Sequence, residues 1–203
     1  MKPAVPDPLT AESSQAGTWN LANLLTMARL LLVPVFGVLL VKDHGTSTLW
    51  RSGAAGVFMV ASATDRLDGQ IARSRNLVTD FGKIADPIAD KALMGTAMVL
   101  LSYLDDLSWW VTIVVLVREL GITLLRFWVL RYGVIAASRG GKLKTLLQGF
   151  AILFYLLPIS ADWWGYLRAW TMAAAVIVTV VTGFDYVGRA VKLRLGAKGG
   201  NAE

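Results

Sequence analysis

The apolar residues of this chain fall into six blocks of near membrane-spanning length, and no other feature constrains its fold as tightly. They run from about Leu21 to Val41, Thr48 to Thr64, Ile84 to Tyr103, Trp109 to Leu130, Leu146 to Ile159 and Tyr166 to Val187. Crossing hydrocarbon as an α-helix takes about 20 apolar residues, each adding about 1.5 Å of rise. Without water, every backbone N–H and C=O must find its partner within the segment, so such blocks fold as helices. The spacing predicts an all-α integral membrane protein with six transmembrane helices. The fifth block is short unless Gly140 to Thr145 helps it start. Composition agrees: 55% of the 203 residues are hydrophobic and only 17% are charged, against roughly a quarter in a soluble domain.

The basic residues predict the orientation, because Lys and Arg collect in cytoplasmic loops. Arg66, Arg73, Arg75 and Lys83 lie between the second and third blocks. Arg131, Arg139, Lys142 and Lys144 lie between the fourth and fifth, and Arg189, Lys192, Arg194 and Lys198 near the C-terminus. The alternate connections are poorer: Asp105 and Asp106 have no cation beside them, and Asp162 has only Arg168 nearby. Lys42 and Arg51 run mildly against the pattern. Both termini are therefore expected in the cytoplasm, in a multi-pass protein of the cell membrane. Trp109, Trp110, Trp163 and Trp164 fall at the outer ends, where aromatic belts form. Residues 1–18 are polar, rich in Pro and Ser, and lack the basic-then-apolar order of a signal peptide; a disordered tail is expected there. The helical domain is expected over 19–192 and a basic tail over 193–203. The cations are spread between the blocks rather than gathered in one stripe, so no nucleic-acid partner is expected.

Against this background four carboxylates stand out. Asp65 and Asp68 are three residues apart, Asp86 and Asp90 four, and either spacing puts both acids of a pair on one helix face. A carboxylate at membrane depth is expensive and marks a functional site by default. Should the second and third helices be antiparallel neighbours joined by a tight connection around Asn76 to Phe81, the pairs face each other. Four converging anions repel, and two divalent cations would resolve that repulsion. Cys is absent and His44 is the single histidine, so the available ligands are oxygens, which select Mg²⁺ or Mn²⁺. Gly69, Ala72 and Gly82 leave room for a ligand beside the acids. Arg73 lies two helical turns beyond Asp65, where its guanidinium can fork onto phosphate oxygens, and Thr79 can add a hydroxyl. An EF-hand loop starting at Asp65 would need a glutamate where Asn76 stands. A proton or ion transporter would also use buried acids, but would not call for the glycines or Arg73.

The segment reads D-x2-D-G-x2-A-R-x8-G-x3-D-x3-D from Asp65 to Asp90, eight fixed residues across 26 positions. It resembles the signature of the CDP-alcohol phosphatidyltransferases, and the six-span layout resembles that family too. Asn23 to Arg29 with Pro34, Arg118-Glu119-Leu-Gly, and Gly141-Lys142-Leu-Lys144-Thr145 with Gln148 are similar to the phosphatidylglycerophosphate synthases within it, particularly the actinobacterial kind. The resemblance implies an active site on the cytoplasmic side between helices 2 and 3. Asp65 and Asp86 would bridge two metal ions, Asp68 would hold one and Asp90 the other. Asp90 would also be the general base. Gly69, Ala72, Arg73, Thr79, Gly82, Asn23 and Thr26 would contact or border the CDP-diacylglycerol. The implied reaction joins glycerol 3-phosphate to the phosphatidyl group with release of CMP.

Such an acceptor needs cations near the metals. Arg118 and Arg126 share a face of the fourth helix, and Lys142 and Lys144 open the fifth, where a helix N-terminus favours phosphate. These four are the expected acceptor residues, against a simpler role in topology and snorkelling. Glu119 is expected to pair with another helix, and Asp185 with one of these arginines. Apolar helix faces would allow a homodimer. Rivals are the same chemistry with phosphatidylglycerol or inositol phosphate as acceptor, an aspartate-rich prenyltransferase, and the transporter.

Overall fold

The computed structural model describes residues 21–74, 80–129 and 139–199. The expected N-terminal tail, Thr79 and residues 200–203 lie outside them. The described residues form six α-helices and no strand: α1 (Leu21–Val41), α2 (Thr48–Ser74), α3 (Asp80–Tyr103), α4 (Trp109–Val129), α5 (Arg139–Leu156) and α6 (Asp162–Gly199). Helix α1 packs on α2 and α3, α5 on α6 and α2, and α4 on α6 and α3. The first helix keeps the expected limits. Helix α5 starts at Arg139, so Gly140 to Thr145 do help it start, and it stops at Leu156, before the end of its apolar block, because Pro158 disfavours helix in the residue before it. Helix α6 continues through Gly199, so the basic residues expected in a tail extend the last helix.

Small and large apolar side chains share the core. Ala54, Ala55 and Ala61 of α2, Ala97 of α3 and Ala151 of α5 are buried among Phe36, Leu40, Phe58, Leu93, Met98, Ile152 and Leu156. Small residues let helix backbones approach closely, which is how helices associate where lipid is as apolar as leucine. Much of the large apolar surface faces outward, including Leu31, Val38, Leu124, Trp170 and Phe184, each about 70% exposed. A water-soluble monomer does not tolerate apolar surface on that scale. Two segments, Leu24–Gly45 and Asp162–Arg194, are long and apolar enough to cross a membrane.

Three connections meet at one end of the bundle, and Arg51 joins them. The α1–α2 turn passes through left-handed conformations at Asp43, His44 and Gly45. A Cβ on Gly45 would stand 2.7 Å from Leu104 Cδ1, so the turn needs glycine for space as well as φ. Arg51 donates to the Gly45 carbonyl (3.1 Å) and, through Nη2, to the Tyr155 carbonyl at the end of α5 (2.7 Å). The same Nη2 lies 2.7 Å from Asp106 Oδ2 in the α3–α4 turn, a charge contact without hydrogen-bond alignment. Arg168 of α6 stacks over the Tyr155 ring. Trp109, Trp110 and Trp163 are exposed at this end, whereas Trp164, expected in the same belt, is buried and donates to the Phe154 carbonyl. Arg51→Ala should lower stability by about 1.5–3 kcal/mol, the scale of hydrogen bonds to a charged group. Thermal unfolding in detergent checks this, and a wild-type midpoint would deny Arg51 the role.

Candidate active site

The signature acids sit on two helices toward the opposite end. Asp65 and Asp68 fall within α2, and Asp86 and Asp90 within α3. The helical backbone therefore gives each pair the shared face that its spacing predicts. The side chains of Asp65, Asp68, Gly69, Ala72, Arg73, Gly82 and Asp86 lie outside the described residues, as do those of Asn23 and Lys142. Thr26 is buried on α1, and Arg29, one turn along, is equally buried. Arg29 was readable only as part of a motif. Its full burial in an apolar run marks it as functional or structural machinery, since an arginine there is costly unless it is engaged.

Asp90 is half-buried and forms part of the wall between two cavities. On one side a groove of about 180 Å³ runs between α2 and α5, lined by Phe58, Ser62, Gly149 and Leu153 together with Asp90 and Thr145. On the other a cavity of about 100 Å³ lies between α3, α4 and α5, lined by Asp90, Lys91, Glu119, Lys144, Thr145 and Gln148. The first is mostly apolar. The second gathers two acids and two lysines.

The expected acceptor cations separate here. Lys144 is 7% exposed. It points into the second cavity and donates to Glu119 Oε1, the inter-helix partner expected for that acid. Arg118 is turned the other way. Its Nε donates to the Thr179 carbonyl (3.0 Å) and its Nη2 to Thr182 Oγ1 (2.9 Å), both on α6, while Nη1 reaches Glu119 Oε1 (3.0 Å). Gly183 makes room for it: a Cβ there would stand 3.2 Å from Arg118 Cγ. Arg118 thus ties α4 to α6 and steadies Glu119. Arg126 is exposed near the end of α4. Asp185 pairs with Arg189 at 2.9 Å, four residues on along the same helix, and not with Arg118 or Arg126. The i, i+4 geometry makes that local partner the cheaper one. Lys91, not singled out by its sequence, donates to Thr123 Oγ1, and Thr123 caps the Glu119 carbonyl (2.7 Å).

These features agree with what the chain is similar to. The sequence model of the CDP-alcohol phosphatidyltransferases matches residues 19–181. A "probable phosphatidylglycerophosphate synthase" of Mycobacterium tuberculosis is 50% identical over 173 residues, covering 85% of this chain and 82% of the relative. A CDP-diacylglycerol–glycerol-3-phosphate 3-phosphatidyltransferase of Bacillus subtilis is 37% identical over 184 residues, 83% of this chain and 93% of its own. One of the same description from Shigella flexneri is 36% identical, with 85% and 95% covered. With the family's match extending from before α1 well into α6, and relatives aligned over most of their length, the chain belongs to the CDP-alcohol phosphatidyltransferase family.

Proposed function

We propose that this chain transfers the phosphatidyl group of CDP-diacylglycerol to glycerol 3-phosphate, giving phosphatidylglycerophosphate and CMP. The observation that carries the reading is Asp90, the last acid of the signature, standing between an apolar groove and a cavity that holds Lys144. The relatives' descriptions name both substrates. We place the reaction at the cytoplasmic face of six membrane-crossing helices with both termini on that side. Supporting this, the acids and Lys144 lie away from the tryptophan-bearing end, and the cation-rich connections belong to their end.

The donor set suits a hard divalent cation. Its candidates are carboxylates alone, and the single histidine, His44, sits in the turn between α1 and α2 at the other end. Asp65, Asp68, Asp86 and Asp90 would hold two Mg²⁺ or Mn²⁺ ions. Bound there, such ions would neutralise the charge of the pyrophosphate and of the departing phosphate. The protein's own part is to aim and to move a proton. Lys144 and Lys142 hold the acceptor's phosphate, with Arg126 as a further cation on α4, while Arg118, committed to Thr179, Thr182 and Glu119, steadies Glu119 beside Lys144. Arg73 and Thr79 hold the CDP portion beside Gly69, Ala72 and Gly82, with Asn23 and Thr26 at its border. Asp90 takes the proton from the acceptor hydroxyl. The freed oxygen attacks the phosphorus that bears the diacylglycerol, the bond from that phosphorus to CMP breaks, and CMP leaves.

The test is CMP release by purified protein with CDP-diacylglycerol and Mg²⁺ or Mn²⁺. Glycerol 3-phosphate, inositol phosphate and phosphatidylglycerol are offered separately. Release with glycerol 3-phosphate alone is expected. Release with another acceptor would keep the phosphatidyl transfer and overturn the acceptor. Folded protein that releases no CMP with any of them would overturn the reading.

A further inference from the structure

Among the described residues two buried helical hydroxyls, Ser62 Oγ and Thr179 Oγ1, have no hydrogen-bond partner, and of the two Ser62 lines a cavity. Several helical hydroxyls here bond back to the carbonyl four residues earlier: Thr64 to Val60 (2.7 Å), Thr171 to Leu167 (2.7 Å) and Thr182 to Val178 (2.7 Å). That bond is the usual resort of Ser and Thr inside a helix. The Ser62 oxygen does not take it. It is shielded from solvent and has no hydrogen-bond partner, and it belongs to a residue that lines the groove between α2 and α5 leading to Asp90. A buried hydroxyl left unpaired among apolar side chains is costly, and such a group calls for a partner supplied from elsewhere.

The groove says what that partner is. Its lining includes Met59, Leu146 and Phe150, each about 40–46% exposed on the outer surface of the bundle. In a membrane enzyme those side chains face hydrocarbon, so the groove opens toward acyl chains. Its inner end is the Asp90 wall. Ser62 stands between, three residues and about 4.5 Å of helix rise from Asp65. A phospholipid has one class of polar group at that remove from its phosphate, the ester carbonyls. They accept hydrogen bonds and donate none, and they lie a few bonds from the phosphorus. We propose that the α2–α5 groove seats the glycerol-ester region of the lipid donor, with the Ser62 hydroxyl donating to one ester carbonyl. Nearby Thr145 Oγ1 is already committed to the Gly141 carbonyl (3.2 Å), which leaves Ser62 as the donor. The inference rests on the phosphatidyl-transfer reading and adds to it the element that tells a diacyl lipid from a dialkyl one.

The test compares two donors, CDP-diacylglycerol and a CDP-dialkylglycerol of equal chain length, whose ether oxygens replace the ester carbonyls. Each is used with wild type and with Ser62→Ala. One neutral hydrogen bond is worth a few-fold to about tenfold in binding. The variant should lose about fivefold in kcat/KM on the ester lipid and stay within twofold of wild type on the ether lipid. Its KM for glycerol 3-phosphate should not move. Deleting an unpaired hydroxyl removes no contact, so the thermal midpoint should match or exceed wild type. Equal losses on both lipids, or none on either, would overturn the Ser62 assignment while wild-type turnover keeps the transferase reading. Wild type inactive on both lipids would overturn that reading and the inference with it.

Discussion

Asp90→Asn is expected to slow CMP release by about 10²–10⁴-fold, the usual contribution of a positioned general base, while much of the binding of CDP-diacylglycerol persists. Asparagine keeps the size and one oxygen of aspartate but cannot accept a proton at neutral pH. Three signature acids, the groove and the proposed CDP-contacting segment are untouched, so on the proposed reading the donor still has its seat. Turnover and donor binding are measured on the same preparation. Turnover within tenfold of wild type would remove Asp90 from proton transfer. Weak donor binding, with full turnover restored at high CDP-diacylglycerol, would make Asp90 a binding residue only.

Lys144→Ala should raise the KM for glycerol 3-phosphate by roughly 10- to 150-fold. That is the equivalent of losing a charge-assisted hydrogen bond of about 1.5–3 kcal/mol. The KM for CDP-diacylglycerol should change little. An ammonium has three N–H donors, and Glu119 takes one of them, so the rest can meet an incoming phosphate in the cavity shared with Asp90. Arg118→Ala should act differently, since its guanidinium is spent on Thr179, Thr182 and Glu119. Steady-state kinetics with each substrate varied in turn decides the matter. Equal rises for both substrates, or an unmoved acceptor KM, would exclude Lys144 from the acceptor site.

Helix existence was legible from the length of the apolar blocks, and the limits of α1 were read to the residue. What hydropathy could not distinguish was which apolar face meets protein and which meets lipid. Leu93 is 1% exposed and Leu124 69%, yet both sit in similar surroundings in the sequence. In water the polar stripe of an amphipathic helix breaks that symmetry; a helix wet by lipid has no such stripe. Residue size does not break it either: Ala61 of α2 is fully buried and Ala63, two residues on, is exposed. At the site, fixed spacing located all four aspartates on two helices. Spacing along one helix placed Arg118 and Arg126 on a common face, but it could not show that α6 would claim Arg118, because that depends on which helices end up side by side. Ser62 carried no signal at all. A serine in an apolar helix is ordinary until its hydroxyl is found without the local bond.

The wall at Asp90 bears on the order of events. A lipid and a polyol phosphate favour opposite phases, and an enzyme joining them could shuttle one into the territory of the other. With a chamber on each side of a single carboxylate, neither has to travel. On the proposed reading the donor slides in sideways from the bilayer and the acceptor enters from water. Both wait in place together, and the new bond forms at the partition without the lipid's tails leaving the oil.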